Sequence, residues 1–245
     1  MSEIDKHPAF NALRRLTPAR LRLDPEGGPA TLESVLDFQL SHAKARDAIW
    51  KPVDWEAVEA GIAGAEVIRV HSRAEDRGVY IRRPDLGRRL REGNADTLPE
   101  GPFDVVIVLA DGLSADAVNT NSAEVMTGLV EAFSDLKLGP IVLAEQGRVG
   151  IGDEIGERMG AKLMVMVIGE RPGLSLTTSL GAYLTINPRV GTPDSSRNCV
   201  SNIHNSGGLS AEKAVAKIDW LVRHALKLGV TGVGLKDNSD KILIE

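Results

Sequence analysis

At 245 residues, with 42% hydrophobic and 26% charged side chains, the chain has an ordinary globular composition and room for one large domain with an appendage. Its net charge of -5 gives no basic surplus for tracking nucleic-acid phosphates, and the arginine pairs at 82–83 and 88–89 are interleaved with Asp85 and Glu92, as on a solvated or interface face. The single cysteine, Cys199, excludes an intrachain disulfide, and no apolar run approaches the roughly 20 residues of a membrane span.

The amino terminus, MSEIDKHPAF, carries acids and no apolar core of signal-peptide length, so a cytoplasmic location is expected. Residues 1–30 read as an extended, irregular arm: arginines flank Thr17-Pro18, and DPEGGP at 24–29 is rich in breakers. Thr31 can cap a long helix in which Leu32, Val35, Leu36, Leu40 and Ala43 share a stripe that needs a partner surface. Asp54 to Ile62 reads as a shorter helix and Glu66 to Val70 as a short strand. From Ser72 to Glu100 the chain turns highly charged; Tyr80-Ile81 reads as extended, and Asp85 as the cap of a short helix through Leu90. Pro99 to Pro102 then marks a boundary. The expected division is an arm and helical extension over 1–100 and a main domain over 101–245.

The main domain opens with a buried strand over Val105–Leu109, a tight turn and a helix from Ser114, whose hydroxyl can cap it. Residues 140–174 are the stretch around which the rest is arranged. Pro140 to Ala144 and Leu163 to Ile168 are continuous apolar runs joined through a glycine-punctuated helical segment, the pattern of two buried parallel strands and a crossover. Their following loops, Gln146–Val149 and Gly169–Leu174, are expected side by side at the carboxyl edge of the sheet, where ligands sit in α/β folds. Ala182–Ile186 and Cys199–Ile203 read as further strands. Ser210 caps a last amphipathic helix, which Gly229 stops.

Few groups offer chemistry. Gly150, Gly152 and Gly156 form GxGxxxG between strand and helix. One reading is a nucleotide-dependent oxidoreductase, although the last spacing is one residue longer than the dinucleotide fingerprint; the other is close backbone packing. Glu170 ends a strand beside Arg171-Pro172-Gly173 and reads either as a surface partner of Arg171 or as an acceptor for ligand amides or hydroxyls. Cys199 reads as a small buried hydrophobe or a nucleophile. The histidines show no metal-ligand spacing, and neither a G-x-S-x-G elbow nor the DxHxxG signature of one cobalamin-binding mode is present. The residues alone therefore describe an α/β ligand-binding domain with no catalytic and no metal-binding set of its own.

The segments LTPARLRL, LDFQLSHAKARDA, YIRRPDLGRRL, VLADGLSADAV, QGRVGIGDEIGE, IGERPGLS and RNCVSNIHNSGG, in this order from Leu13 to Gly229, resemble the small (light) subunit of adenosylcobalamin-dependent ethanolamine ammonia-lyase. The resemblance implies a Rossmann-like parallel sheet domain with an amino-terminal helical extension. It also implies a large TIM-barrel partner subunit, a hetero-oligomer of large–small pairs, and adenosylcobalamin in base-on form at the subunit interface. Ethanolamine would lie mainly on the large subunit and be converted by radical chemistry to acetaldehyde and ammonia. Carried over by motif, the coenzyme contacts fall on Val149 in QGRV, Glu170 in IGER and Cys199 in RNCVSN. Microcompartment-associated members carry a longer amino-terminal extension. Only about a dozen residues precede the first motif here, so encapsulation in a bacterial microcompartment is not expected.

Overall fold

The computed structural model describes residues 32–239, together with Ala12, Leu13, Arg15 and Leu16. Thr31 and most of the expected arm lie outside the described residues. The four described positions within the arm are helical rather than extended; Leu13 and Leu16, three residues apart, can share one helical face.

Six strands form one sheet in the order β1-β3-β2-β4-β5-β6: β1 (Val67–His71), β2 (Phe103–Ala110), β3 (Ile141–Glu145), β4 (Ala161–Gly169), β5 (Leu180–Ile186) and β6 (Asn198–Ile203). The first four in sequence are parallel, with Val67 opposite Ile141, Val108 opposite Val142 and Val105 opposite Leu163. The expected α/β architecture is present, with one departure from a parallel sheet. β5 runs antiparallel to both β4 and β6, because the connection through 170–179 contains no crossover helix and can only reverse the chain. The sheet also takes β1 from the segment before residue 100.

The inner stretches of β2, β3 and β4 are apolar because both of their faces are covered. Alternate residues Val105, Ile107 and Leu109 of β2 enter a core with α2 (Trp55–Gly61), α4 (Ala115–Ala132) and α6 (Ala211–Leu228), while Val106, Val108 and Ala110 face α5 (Ile151–Arg158). Three of the helix ends read from the sequence are in place. Ser114 accepts from the Ala117 amide at 3.1 Å, Ser210 from Lys213 at 3.4 Å, and Gly229 ends α6 at φ 69°. In α1 (Leu32–Trp50), by contrast, only Ala48 is buried; Leu32, Val35, Leu36 and Leu40 of the expected stripe stay exposed.

The glycine-punctuated crossover is a packing device. A Cβ on Gly152 would lie 2.8 Å from the Met164 sulfur, and one on Gly156 would lie 2.6 Å from Pro188 Cγ. Bare backbone lets α5 sit directly on β4.

The segment after β1 first folds over the carboxyl edge, through Tyr80 and Arg88, and then returns to the amino ends of the strands by residues 96–99. Tyr80-Ile81, expected as extended, lie in a helix, α3 (Arg77–Arg82). Asp76 caps it by accepting from the Val79 amide at 2.8 Å, and burial of Tyr80 outweighs the local preference of Val79 and Ile81 for strand. Asp85 precedes a 3-10 turn, Leu86–Arg88, but its carboxylate takes the Arg83 guanidinium at 2.7 Å instead of capping. Leu90 then pairs with Ser72. Its amide and Arg89 Nε both donate to Glu154 on α5, at 3.0 and 2.8 Å. Burial opposes charge on Glu154, but these donors and Arg158 hold its carboxyl below the usual range.

Arg77 and Arg148 both lie over the Tyr80 ring, 4.7 and 4.5 Å from its centroid, and the Tyr80 hydroxyl donates to the Gly147 carbonyl at 3.1 Å. Arg77 Nη1 meets Asp111 at 3.2 Å, and Asp111 accepts from the Gly147 amide at 2.9 Å. Burial pushes the Asp111 carboxyl up to about 6, more than Arg77 and the backbone amides pull it down.

Two outcomes follow. Gly156→Ala in an exposed helix would add up to about 1 kcal/mol, but against Pro188 it is expected to destabilise the chain by about 1–3 kcal/mol in urea unfolding; a gain would mean that α5 does not rest there. Asp111 has a folded pKa above its unfolded value, so its contribution is full below about pH 4 and is lost as pH rises through about 6. The stability difference between wild type and Asp111→Asn is therefore expected to move against wild type by on the order of 3 kcal/mol from about pH 4 to about pH 7. A flat difference would place Asp111 at an ordinary carboxylate pKa.

Candidate functional site

At the carboxyl ends of β2, β3 and β4 the loops enclose a cleft of about 530 Å³. One wall carries Tyr80, Arg88 and Arg148, another Glu170, Arg171 and Asp194; Leu113, Val149, Ile168 and Tyr183 supply apolar surface. Among the larger depressions elsewhere in the described residues, two are roomiest. One, of about 680 Å³, is at the amino ends of β1, β2 and β3, and another, of about 780 Å³, lies between α4 and α6. Neither is at the edge where an α/β sheet presents its loops to a ligand.

Each wall is set by backbone. Gly112, at φ 57°, lies so close to the end of β4 that an added Cβ would stand 2.1 Å from the Gly169 carbonyl oxygen; that same oxygen accepts from the Leu113 amide at 3.0 Å. Val149 precedes the first turn of α5, half-buried against the core on that face of the sheet. Gln146, at φ 52°, turns the chain out of β3, and the Arg148 amide donates to the Gly87 carbonyl at 2.8 Å.

Glu170 follows the last residue of β4. Its amide donates to the Ser179 carbonyl at 2.9 Å. Its carboxylate accepts from the Ser179 hydroxyl at 2.6 Å, the Ser201 hydroxyl at 2.5 Å and the Asn202 amide at 3.4 Å. The carboxylate is thus oriented by hydroxyls, not by Arg171. The connection behind it is tied to α4, where Ser114 and Asn121 donate to the carbonyls of Thr177 and Thr178.

Cys199 lies on β6 opposite Tyr183. It is exposed, not a buried hydrophobe: Val200 turns toward the α6 side of the sheet, while Cys199 and Ser201 share the other face, which remains open at this end. Partial desolvation, reinforced by the Glu170 charge, pushes the thiol pKa up. A thiol so held is a soft neutral surface at neutral pH, not a nucleophile. Burial, with Cys199 and Glu170 nearby, likewise pushes the Tyr183 hydroxyl up to about 12.

Val149 and Glu170 therefore line one cleft, and Cys199 adjoins it across Tyr183. A buried ion pair ties the two flanks together. Arg197, two residues before Cys199, binds Asp153 of α5 through two nitrogens at 2.6 and 2.7 Å, with side chains 3% and 2% exposed. Arg197 also donates to Thr185 and to the Thr192 carbonyl, both at 2.8 Å. Among the described residues no group of three or more His, Cys, Asp or Glu is arranged to hold a metal ion.

Sequence reasoning did not single out Ser179, Ser201, Tyr183 or the arginine wall. Ser201 was within reach, since it lies two residues from Cys199 and so shares its strand face. Ser179 left no local signal: it reaches Glu170 only because β5 reverses direction.

The family model of the ethanolamine ammonia-lyase light chain (EutC) matches residues 7–236. Among curated proteins, the chain is 46% identical over 252 residues to an ethanolamine ammonia-lyase small subunit of Pseudomonas fluorescens (strain Pf0-1), covering 99% of this chain and 92% of the relative. It is 47% identical over 234 residues to that of Rhodopseudomonas palustris (strain BisA53), covering 93% and 89%. The relative from Pseudomonas syringae pv. tomato is 46% identical over 243 residues, with 95% and 84% covered. These matches set aside the nucleotide-dependent oxidoreductase, consistent with glycines that serve packing, and place the chain in the ethanolamine ammonia-lyase light-chain family, as the small subunit of a lyase that has a large subunit as its partner.

Proposed function

We propose that this chain holds adenosylcobalamin, base-on, at an interface with the large subunit, and that the assembled hetero-oligomer converts ethanolamine to acetaldehyde and ammonia. The observation that carries this reading is the Glu170 carboxylate, held by two serine hydroxyls at the rim of the carboxyl-edge cleft that Val149 also lines.

The residues suit the group. A corrin is a broad apolar ring edged with amide side chains. Glu170 supplies an acceptor for amide N–H groups, Val149 supplies compact apolar contact, and Cys199 with Tyr183 supplies a soft neutral face beyond the cleft. The open side of the β5–β6 face leaves such a ring accessible to a second subunit. The lack of DxHxxG agrees with a cofactor that keeps its own base on cobalt.

When bound, adenosylcobalamin supplies a cobalt–carbon bond whose homolysis starts radical chemistry. The role of this chain is to bind and orient. Glu170 fixes the ring's rotation by accepting from its rim. Val149 and Cys199 exclude water from the covered face. No side chain here is assigned to proton transfer or to contact with ethanolamine, and the large subunit carries that work. A cytoplasmic location belongs to the same proposal.

Co-expression with the large subunit and titration with adenosylcobalamin, followed by visible absorbance, is expected to show saturable uptake and ethanolamine-dependent cobalt–carbon cleavage with acetaldehyde release. A stable complex blind to the coenzyme would reject the reading. Glu170→Ala is expected to weaken coenzyme binding by about 1.5–3 kcal/mol, the range of a hydrogen bond to a charged group, and to weaken binding more than it weakens folding of the chain as read by thermal unfolding. Unchanged affinity would remove Glu170 from the contacts.

A further inference from the structure

Glu170 is more heavily supported than a surface carboxylate needs to be. Ser201 donates to Oε1 at 2.5 Å, and Ser179 and the Asn202 amide donate to Oε2 at 2.6 and 3.4 Å. The support has its own support. Asn202 is held at φ 64°, a conformation unusual for a residue with a side chain, and its Oδ1 meets His204 Nε2 at 2.8 Å. The Ser206 amide donates to His204 Nδ1 at 3.1 Å, which fixes the ring as an Nε2–H donor. Behind Glu170, a Cβ on Gly181 would lie 2.9 Å from Oε1. The carboxylate is thus confined from β4, β5 and β6 at once.

The direction of these bonds has a chemical consequence. Both serine hydroxyls commit their hydrogens to the carboxylate, so what remains free on Ser179, Ser201 and Glu170 is oxygen lone pairs. Such a surface accepts and does not donate. We infer that Ser179 and Ser201 are positioning residues that make Glu170 a selector for an amide, against a carboxylate, on the ligand that enters the cleft. The inference rests on the coenzyme reading above and adds a specificity to it: a corrinoid whose rim amide at Glu170 is hydrolysed to the acid brings a negative charge against the acceptor-only patch of Glu170, Ser179 and Ser201, while the cleft's arginines Arg88, Arg148 and Arg171 are not part of that patch.

The test uses the complex with the large subunit, titrated by visible absorbance with adenosylcobalamin and separately with its three derivatives in which one propionamide is hydrolysed to the acid. Wild type is expected to bind at least one acid about ten- to a hundredfold more weakly than the coenzyme, the scale of one charge-assisted hydrogen bond lost. Glu170→Gln, whose amide can donate to the acid, is expected to bring that ratio close to one. The double variant Ser179→Ala/Ser201→Ala is expected to narrow it as well, and Ser201→Thr, which keeps the hydroxyl, to retain it.

A purely structural role for the serines would lower affinity for all four ligands together and leave the ratio untouched. That result overturns the inference, as does equal binding of all three acids and the coenzyme by wild type. Absence of adenosylcobalamin uptake by wild type would remove the coenzyme reading itself, and uptake without discrimination removes the selector alone.

Discussion

Where β2 and β4 end, two backbones touch. Gly112 leaves no room for a side chain against the Gly169 carbonyl, and a Cβ on Gly169 would stand 2.3 Å from the Ser114 carbonyl oxygen. The start of α4, the turn after β2 and the end of β4 are therefore one rigid corner, and the other parts of the site are measured from it. Glu170 is the next residue along. Asp111, one residue before Gly112, accepts from Gly147 and Arg77 and so carries the loop after β3 and helix α3 to the same corner. A displacement of any of these strands would be felt by all three loops, since close-packed backbone has no soft side chain to absorb it.

Much of this could be read from the chain because local and global preferences agree. Apolar runs such as Val105–Leu109 and Leu163–Ile168 have no polar alternation because both faces are buried. Ser114, Ser210 and Gly229 bound their helices through bonds that span only three or four residues. What depends on distant partners was not legible. β5 has a strand's composition whichever way it runs, and its direction is set by the connection before it. Tyr80-Ile81 look extended in isolation, yet Tyr80 is drawn into a helix by a ring pocket formed from Arg77 and Arg148.

The candidate site divides along the same line. Val149 and Glu170 follow strands whose ends were evident, so their shared edge could be anticipated. Cys199 could be placed on a strand, but its exposure depends on α5 ending its cover before β6. The glycines at 150, 152 and 156 illustrate the opposite hazard. A motif associated with phosphate groups serves here to seat a helix on Met164 and Pro188, and only the neighbours across the interface distinguish the two uses. The apolar stripe of α1 belongs to the same class of feature, since its periodicity is plain while the described residues leave it exposed.

The Arg197–Asp153 pair bears on the thermodynamics of recognition. Asp153 lies four residues after Val149 and Arg197 two before Cys199, so a bidentate, buried bond spans the interval between the two surfaces proposed above to meet one ligand. Breaking such a bond would strand a buried charge, so the two surfaces hold their separation before anything arrives. Association then has little chain entropy to remove on this side. On the proposed reading, whatever rearrangement accompanies docking falls to the incoming molecules, with this chain as the template against which they adjust.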